Sequence, residues 1–317
     1  MGKALITKLI GGLYTFKDLD TNRTYEGYAK GKFRKIRVEK DSSFNKNLTK
    51  KTKKDVKDIV LSPKVGDIVH YEFTSDQYMI TDVLERKNEL IRPDVANVDQ
   101  VLLVFSSIRP EFSFNLLDKF LVILAHHDLR PVLVVSKIDL IEESELMKLK
   151  ENLKHYEKYF DIYYVNSKQR IGFDVLQTIF KDKITVLAGQ TGVGKSTLMN
   201  ALLPHLGLKT QEISDALGRG KHTTRHSEIY EFGGGYIADT PGFSKIEFEF
   251  HDYTLLKDYF LDFKEVEHEC KFGSKCLHLS EPNCEVKRLV KENIILKSRY
   301  DSYLSFVEEL KTRKEKY

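Results

Sequence analysis

Residues 186–202 read VLAGQTGVGKSTLMNAL. An apolar run ends at Gly189, a glycine-rich turn follows, and Lys195 opens a stretch with helical spacing. The match to G-x-x-x-x-G-K-[ST], between an expected strand and an expected helix, predicts a phosphate-binding loop. Glycines let backbone N–H groups turn inward around phosphate oxygens, and the helix N-terminus adds a favourable dipole. The run Gly189, Gln190, Thr191, Gly192, Val193, Gly194, Lys195, Ser196 and Thr197 is therefore assigned to nucleotide binding. Lys195 supplies charge to the β- and γ-phosphates, and Ser196 offers its hydroxyl to Mg²⁺.

The stretches around the loop complete a nucleotide site, in an unusual order. Upstream, residues 132–140 read VLVVSKIDL, an S-K-x-D variant of N-K-x-D at the end of an apolar strand. There Asp139 is expected to accept hydrogen bonds from guanine N1–H and N2–H₂, which adenine does not offer. Lys137 covers the base with its alkyl stem, and Ser136 stands where Asn is usual. YYVNSK (163–168) places Asn166 and Ser167 beside the base as a looser S-A element. Downstream, GGGYIADTPGFSK (233–245) delivers Asp239 toward Mg²⁺ and the Gly242 N–H toward the γ-phosphate. Between them ALGRGKHTTRHSE (216–228) has the polar, glycine-hinged character of a switch, with Thr223 or Thr224 as the ligand of Mg²⁺ and γ-phosphate. The order is base reader, ribose-side loop, phosphate loop, switch one, switch two: a GTPase circle opened at another point. A parallel α/β sheet tolerates such a cut because new ends can fall in surface loops.

Phe243 follows D-T-P-G, where many GTPases carry a water-orienting Gln. His222, in switch one, is the expected catalytic replacement, with His226 a weaker rival. His126 and His127 follow an apolar helix and are read as packing or solvent-facing residues.

The flanks differ in character. Residues 1–92 read as a small β domain of five short strands: GGLYTFKDL, RTYEGYAKG, RKIRVEK, GDIVHYEF and QYMITDVLE. An OB-type barrel fits, and an SH3-like barrel fits the same pattern. Residues 93–245 alternate strands with helices, the signature of a mostly parallel sheet covered on both faces. Residues 246–317 read as helices around ECKFGSKCLHLSEPNCE (269–285), whose Cys270, Cys276, His278 and Cys284 form C-x5-C-x-H-x5-C. Three thiolates and an imidazole suit one tetrahedral structural Zn²⁺. His268 is a rival fourth ligand, but His278 lies inside the cysteine span.

The net charge of +4 is unevenly spread. Residues 30–57 hold 12 Lys/Arg and 3 Asp/Glu, a local +9, which leaves −5 for the remainder. Such a segment suits a phosphate backbone, and its composition equally suits a solvated loop. No apolar run approaches the roughly 18 residues of a membrane span, and the first residues show no signal-peptide cleavage pattern. A cytoplasmic protein with no membrane partner is expected.

With GKFRK, RKNELIRPDVANVDQ, GRGKHTTR, DTPGF and the cysteine segment, the chain resembles the ribosome small-subunit-dependent GTPase A (RsgA) family over nearly its whole length. It departs at Ser136, at VNSK and in a slightly widened first cysteine interval. The resemblance implies an N-terminal OB-fold, a circularly permuted GTPase domain and a C-terminal helical zinc domain. It also implies GTP hydrolysis with Mg²⁺, a 30S subunit and its rRNA as partners, stimulation by that subunit and a role in its maturation. A monomer is expected. The alternatives are a static RNA-binding scaffold with a structural nucleotide and an ATP-dependent small-molecule kinase. Asp139 argues against the second.

Overall fold

The computed structural model describes residues 1–30, 35–36, 59–60, 62–90, 94–207, 226–238 and 247–314. Most of the basic segment, His222, Thr223, Thr224, Asp239, Gly242 and Phe243 lie outside the described residues. The strands used below are β1 (Gly2–Ile10), β2 (Leu13–Asp18), β3 (Thr24–Ala29), β4 (Ile68–Thr74), β5 (Gln77–Val83), β6 (Gln100–Ser106), β7 (Arg130–Ser136), β8 (Asp161–Tyr164), β9 (Ile184–Ala188), β10 (His226–Phe232) and β11 (Gly235–Ala238). The α-helices are α1 (Phe114–His126), α2 (Glu143–Glu157), α3 (Phe173–Gln177), α4 (Lys195–Leu202), α5 (Leu261–Val266), α6 (Glu285–Lys291) and α7 (Lys297–Lys314). The chain divides into two compact units, Met1–Asp99 with Gln177–Leu187 and Gln211–Gly242, and Gln100–Leu176 with Ala188–Thr210 and Phe243–Tyr317.

In the first unit β1 pairs antiparallel with β2 and β4, β2 with β3, and β4 with β5, while β3 and β5 run parallel. The circuit closes into a five-stranded, OB-like barrel with no free edge. Register shifts leave Thr7 of β1 and Thr81 of β5 as extra residues and bend those two strands around it. Ala4, Ile6, Phe16, Val69 and Ile80 fill the interior. Beyond its bulge β1 also pairs with β10, Lys8 opposite Glu228 and Ile10 opposite His226. Gly233 and Gly234, both at positive φ, form the two-residue turn of the β10–β11 hairpin, and β11 lies parallel to β9.

Three expectations change here. The barrel includes β1, whose burial at Ala4, Leu5 and Ile6 is consecutive rather than alternating because Leu5, on the face opposite Ala4 and Ile6, is buried as well. RKIRVEK is not a barrel strand: its described part, Lys35–Ile36, pairs with Ile59–Val60 in a separate two-stranded ladder. HSE, read as the tail of a polar loop, instead opens the antiparallel strand β10.

In the second unit β6, β7 and β8 run parallel, and all seven residues of β6 are buried. The Ser113 side chain caps α1 by accepting from Leu116 N–H. A capping box between Glu142 and Glu145 starts α2. Val122 and Ile123 of α1 share a core with Phe248, Phe250, Phe260, Phe263, Tyr303, Phe306 and Leu310. Within this apolar packing Arg299 of α7 donates to Asp118 of α1 and to Asp262 of α5 (2.8 Å), and His155 of α2 lies 3.1 Å from Asp262. Among the described residues after 246 there is no strand, as the sequence led us to expect.

Candidate functional site

The phosphate loop follows β9 and ends at α4. Gly189 has φ +138°, and a Cβ there would lie 2.2 Å from Val104 O, so the loop's entry tolerates only glycine. Gly192 (φ +83°) and Gly194 (φ +98°) adopt the left-handed region that the turn requires. Gly194 caps α4. Lys195 Nζ donates to Gly189 O (2.7 Å) and Gln190 O (2.6 Å), which centres its charge in the loop. Burial lowers the Lys195 pKa to about 8. The Ser196 hydroxyl has no hydrogen-bond partner among the described residues, while Thr191 and Thr197 are exposed.

The base-reading element meets this loop directly. Ser136 is buried at the end of β7, its Oγ 2.6 Å from Val193 O and 3.1 Å from Phe105 O. The hydroxyl has one proton, and the shorter contact draws it to the phosphate loop. Serine in the asparagine position thus still ties the two elements together. Lys137, at φ +60°, donates through Nζ to Gly192 O (2.7 Å) and Arg109 O (2.6 Å), and its stem runs along the loop. Burial lowers its pKa. Asp139 stands exposed in the short turn Ile138–Leu140. Asn166 is buried, and its side chain shapes its own loop: Oδ1 accepts from Lys168 N (3.0 Å) and Gln169 N (3.2 Å), and Nδ2 donates to Gln169 Oε1 (2.9 Å). The neighbouring Ser167 is half-buried.

Sequence reasoning missed the loop after β6. Ser107 Oγ donates to Lys137 O (2.9 Å), and the Arg109 carbonyl receives the Lys137 ammonium. These supports act through backbone carbonyls and one small hydroxyl, and SIRP carries no motif that marks them.

The cysteine segment gathers as its spacing predicts. Cys270, Cys276, His278 and Cys284 are all buried, with donor atoms within 4.8 Å of one another. His278 Nδ1 faces the sulfurs of Cys284 (3.3 Å) and Cys270 (3.7 Å). His268, the rival, has a side chain 73 % exposed and lies outside the cluster. Burial pushes the Cys284 thiol up to about 12 and the His278 imidazole down to about 4. Burial opposes ionisation of the Cys276 and Cys284 thiols, and buried thiols gathered beside a neutral imidazole are what a divalent cation relieves. The donor set therefore fits a metal. Glu281 fastens the knuckle by accepting from Leu277 N (2.9 Å) and Leu279 N (2.7 Å), and Glu285 N donates to Cys270 Sγ (3.3 Å).

A phosphate loop locked to an S-K-x-D strand that precedes it in the chain defines a circularly permuted GTPase. The chain belongs to the RsgA GTPase family, whose model matches residues 83–249. It is 50 % identical over 313 residues to the small ribosomal subunit biogenesis GTPase RsgA of Onion yellows phytoplasma, covering 99 % of each chain. It is 45 % identical to the Bacillus subtilis protein of that name over 81 % of this chain and 87 % of the other. Among solved structures, YloQ, a circularly permuted GTPase, superposes with a TM-score of 0.78 at 35 % identity, covering 99 % of this chain and 96 % of that one. YjeQ from Thermotoga maritima gives 0.77 at 32 % identity, with 98 % of each chain covered. No helix among the described residues is long and apolar enough to cross a membrane.

Proposed function

We propose that this GTPase is a switch that binds the small (30S) ribosomal subunit through its rRNA, assists its late maturation, and hydrolyses GTP faster when docked. The observation that carries this reading is the match, along 99 % of both chains, to a relative named for small-subunit biogenesis. The protein acts as a cytoplasmic monomer, with residues 1–92 as an RNA-binding barrel, 93–245 as the GTPase and 246–317 as the zinc-bearing segment.

At the site Gly189 to Thr197 wrap the phosphates and Lys195 neutralises them. Asp139 selects guanine, Lys137 covers the ring, and Ser167 lies on the base side. Ser196, Thr223 or Thr224, and Asp239 would hold Mg²⁺, which would supply charge neutralisation to the phosphates. The Gly242 N–H meets the γ-phosphate. His222 orients the attacking water that Phe243 has no group to hold, and a positioned group of this kind accelerates hydrolysis by roughly 10²–10⁴-fold. Cys270, Cys276, His278 and Cys284 would hold one Zn²⁺, which would serve to staple this segment.

The test is GTP turnover by the purified protein with and without 30S subunits. Stimulation by subunits, and its loss on His222→Ala with GTP affinity kept, is the expected result. Turnover indifferent to subunits would sink the switch reading in favour of a static RNA-binding scaffold. Equal affinity for ATP and GTP would remove the role given to Asp139.

A further inference from the structure

We infer that the tip of the metal knuckle, Phe272 flanked by Lys271 and Lys275, is a contact for an unpaired RNA base. This inference rests on the small-subunit reading above and names the chemistry of one contact within it. The tip is the five-residue interval between Cys270 and Cys276. Phe272 is 46 % exposed and is not among the side chains packed on the neighbouring core. The ring has the Lys271 ammonium near its face and, among the described residues, no aromatic neighbour. A ring of that kind on a mobile loop would fold back onto apolar surface, and this one is prevented from doing so.

The restraint comes from the backbone. Gly273 N donates to Cys270 O (2.8 Å), Lys275 N to Phe272 O (3.1 Å) and Cys276 N to Gly273 O (2.9 Å), while Lys271 N reaches Asn283 O (3.3 Å). Gly273, at φ +50°, lets the chain reverse, and no atom lies within 4 Å of where its Cβ would stand. The ring therefore sits on a stiff, open corner, so little conformational entropy is lost when something stacks on it.

Charge decides what stacks there. Of the segment's acids, Glu267 pairs with Lys257 (2.7 Å), Glu281 accepts from backbone amides and Glu285 pairs with Arg288, while Glu269 stands half-exposed beside His268 (3.7 Å). Lys271 and Lys275 have no carboxylate partner among the described residues, and the Lys271 ammonium lies 5.7 Å from the Phe272 ring centroid. An exposed π-face between two unneutralised ammonium groups is complementary to a single strand, which offers a base face between two phosphates. A basic protein surface would be repelled by the same lysines.

Binding of the full-length, metal-loaded, GTP-bound protein to 30S subunits tests this, with metal content and melting checked for each variant. Phe272→Ala should weaken binding about tenfold, within the range of base–aromatic stacking, and Phe272→Tyr should stay within about twofold of the unmodified protein. Lys271→Ala with Lys275→Ala should reduce the salt dependence by roughly one to two contacts. A photo-crosslinking phenylalanine analogue at 272 should label rRNA. Unchanged affinity in Phe272→Ala, or labelling of a ribosomal protein instead, overturns the inference and leaves the small-subunit reading standing. Failure of the unmodified protein to bind subunits overturns that reading, and the inference with it.

Discussion

Lys195 and Ser136 show how much of the nucleotide site depends on single atoms. The Lys195 ammonium is held by two carbonyls in a partly dry loop, and burial lowers its pKa to about 8. A triphosphate requires the charged form. Affinity for GTP should therefore hold below about pH 8 and decline as pH rises through it, approaching tenfold per pH unit once the free ammonium is mostly deprotonated. Titrations between pH 7 and 9.5 measure this, and a flat profile would show that Lys195 stays charged throughout. Ser136 makes a different contribution. Its Oγ lies 2.6 Å from Val193 O, inside the phosphate loop. Ser136→Ala leaves that carbonyl without its hydroxyl donor, at a cost of about 1–3 kcal/mol if the site stays dry. GTP affinity should fall by roughly five- to a hundredfold, with guanine preference over adenine retained because Asp139 is untouched. Calorimetry with GTP and ATP separates the two quantities, and an unaltered GTP affinity would mean that the bond does not hold the loop. Both residues were legible from their motifs. Their partners were not, because the acceptors are backbone carbonyls that one-dimensional spacing does not reveal.

At the scale of elements, one buried ionic cluster joins four helices. Arg299 of α7 sits between Asp118 of α1 and Asp262 of α5, Tyr156 of α2 donates to Asp118 (3.0 Å), and His155 of α2 faces Asp262. Burial raises the Asp118 carboxyl to about 6 against the pull of Arg299. For Asp262 burial also acts upward, but Arg299 and His155 together outweigh it and its pKa is lowered. Removing the cation from a buried pair is costly because it leaves uncompensated charge, about 3–5 kcal/mol. Arg299→Met should lose that much in urea unfolding, and a loss under about 1 kcal/mol would show that water reaches the carboxylates. A raised carboxyl stabilises the fold when protonated. Its contribution is present below the unfolded-state pKa near 4 and is lost as pH rises through about 6, so Asp118→Asn should remove that part of the pH dependence. None of this was readable beforehand, since Asp118 and Arg299 are 181 residues apart. The helices that carry them were readable, because their apolar positions recur at helical spacing. β1 and β10 were not: burial on both faces at Ala4 to Ile6 removes alternation from one, and the polar start HSE hides the other within the preceding loop.

Across the whole molecule, the permutation changes which parts of the chain can be separated. Switch two is followed directly by residues that pack on the GTPase helices: Phe248 and Phe250 enter one core with Val122 and Ile123 of α1, and Phe250 lies 4.9 Å from the His126 ring. Lys119 of α1 is paired with Glu309 of α7 (2.8 Å). The sequence presents residues 246–317 as a metal-stapled appendage because strand patterns stop there and the cysteines cluster. Packing assigns those residues a second task, as the cover over one face of α1. A fragment spanning 93–245 should therefore expose Val122 and Ile123 and leave Asp118 without its guanidinium. Both effects fall on the helix that follows the Ser107–Arg109 support of Lys137. We expect that fragment to lose cooperative unfolding and measurable GTP binding. Removal of metal from the full chain by a chelator leaves this cover in place and should loosen chiefly the segment around Cys270 to Cys284. Hydrogen exchange resolved by segment distinguishes the two. In chelated protein α1 should remain protected and GTP affinity should stay within about threefold, since the ion pairs Lys119–Glu309 and Asp118–Arg299 that tie α1 to α7 do not include a metal ligand. A 93–245 fragment that melts cooperatively and binds GTP as the full chain does would show that the C-terminal helices only rest on the GTPase and do not complete it.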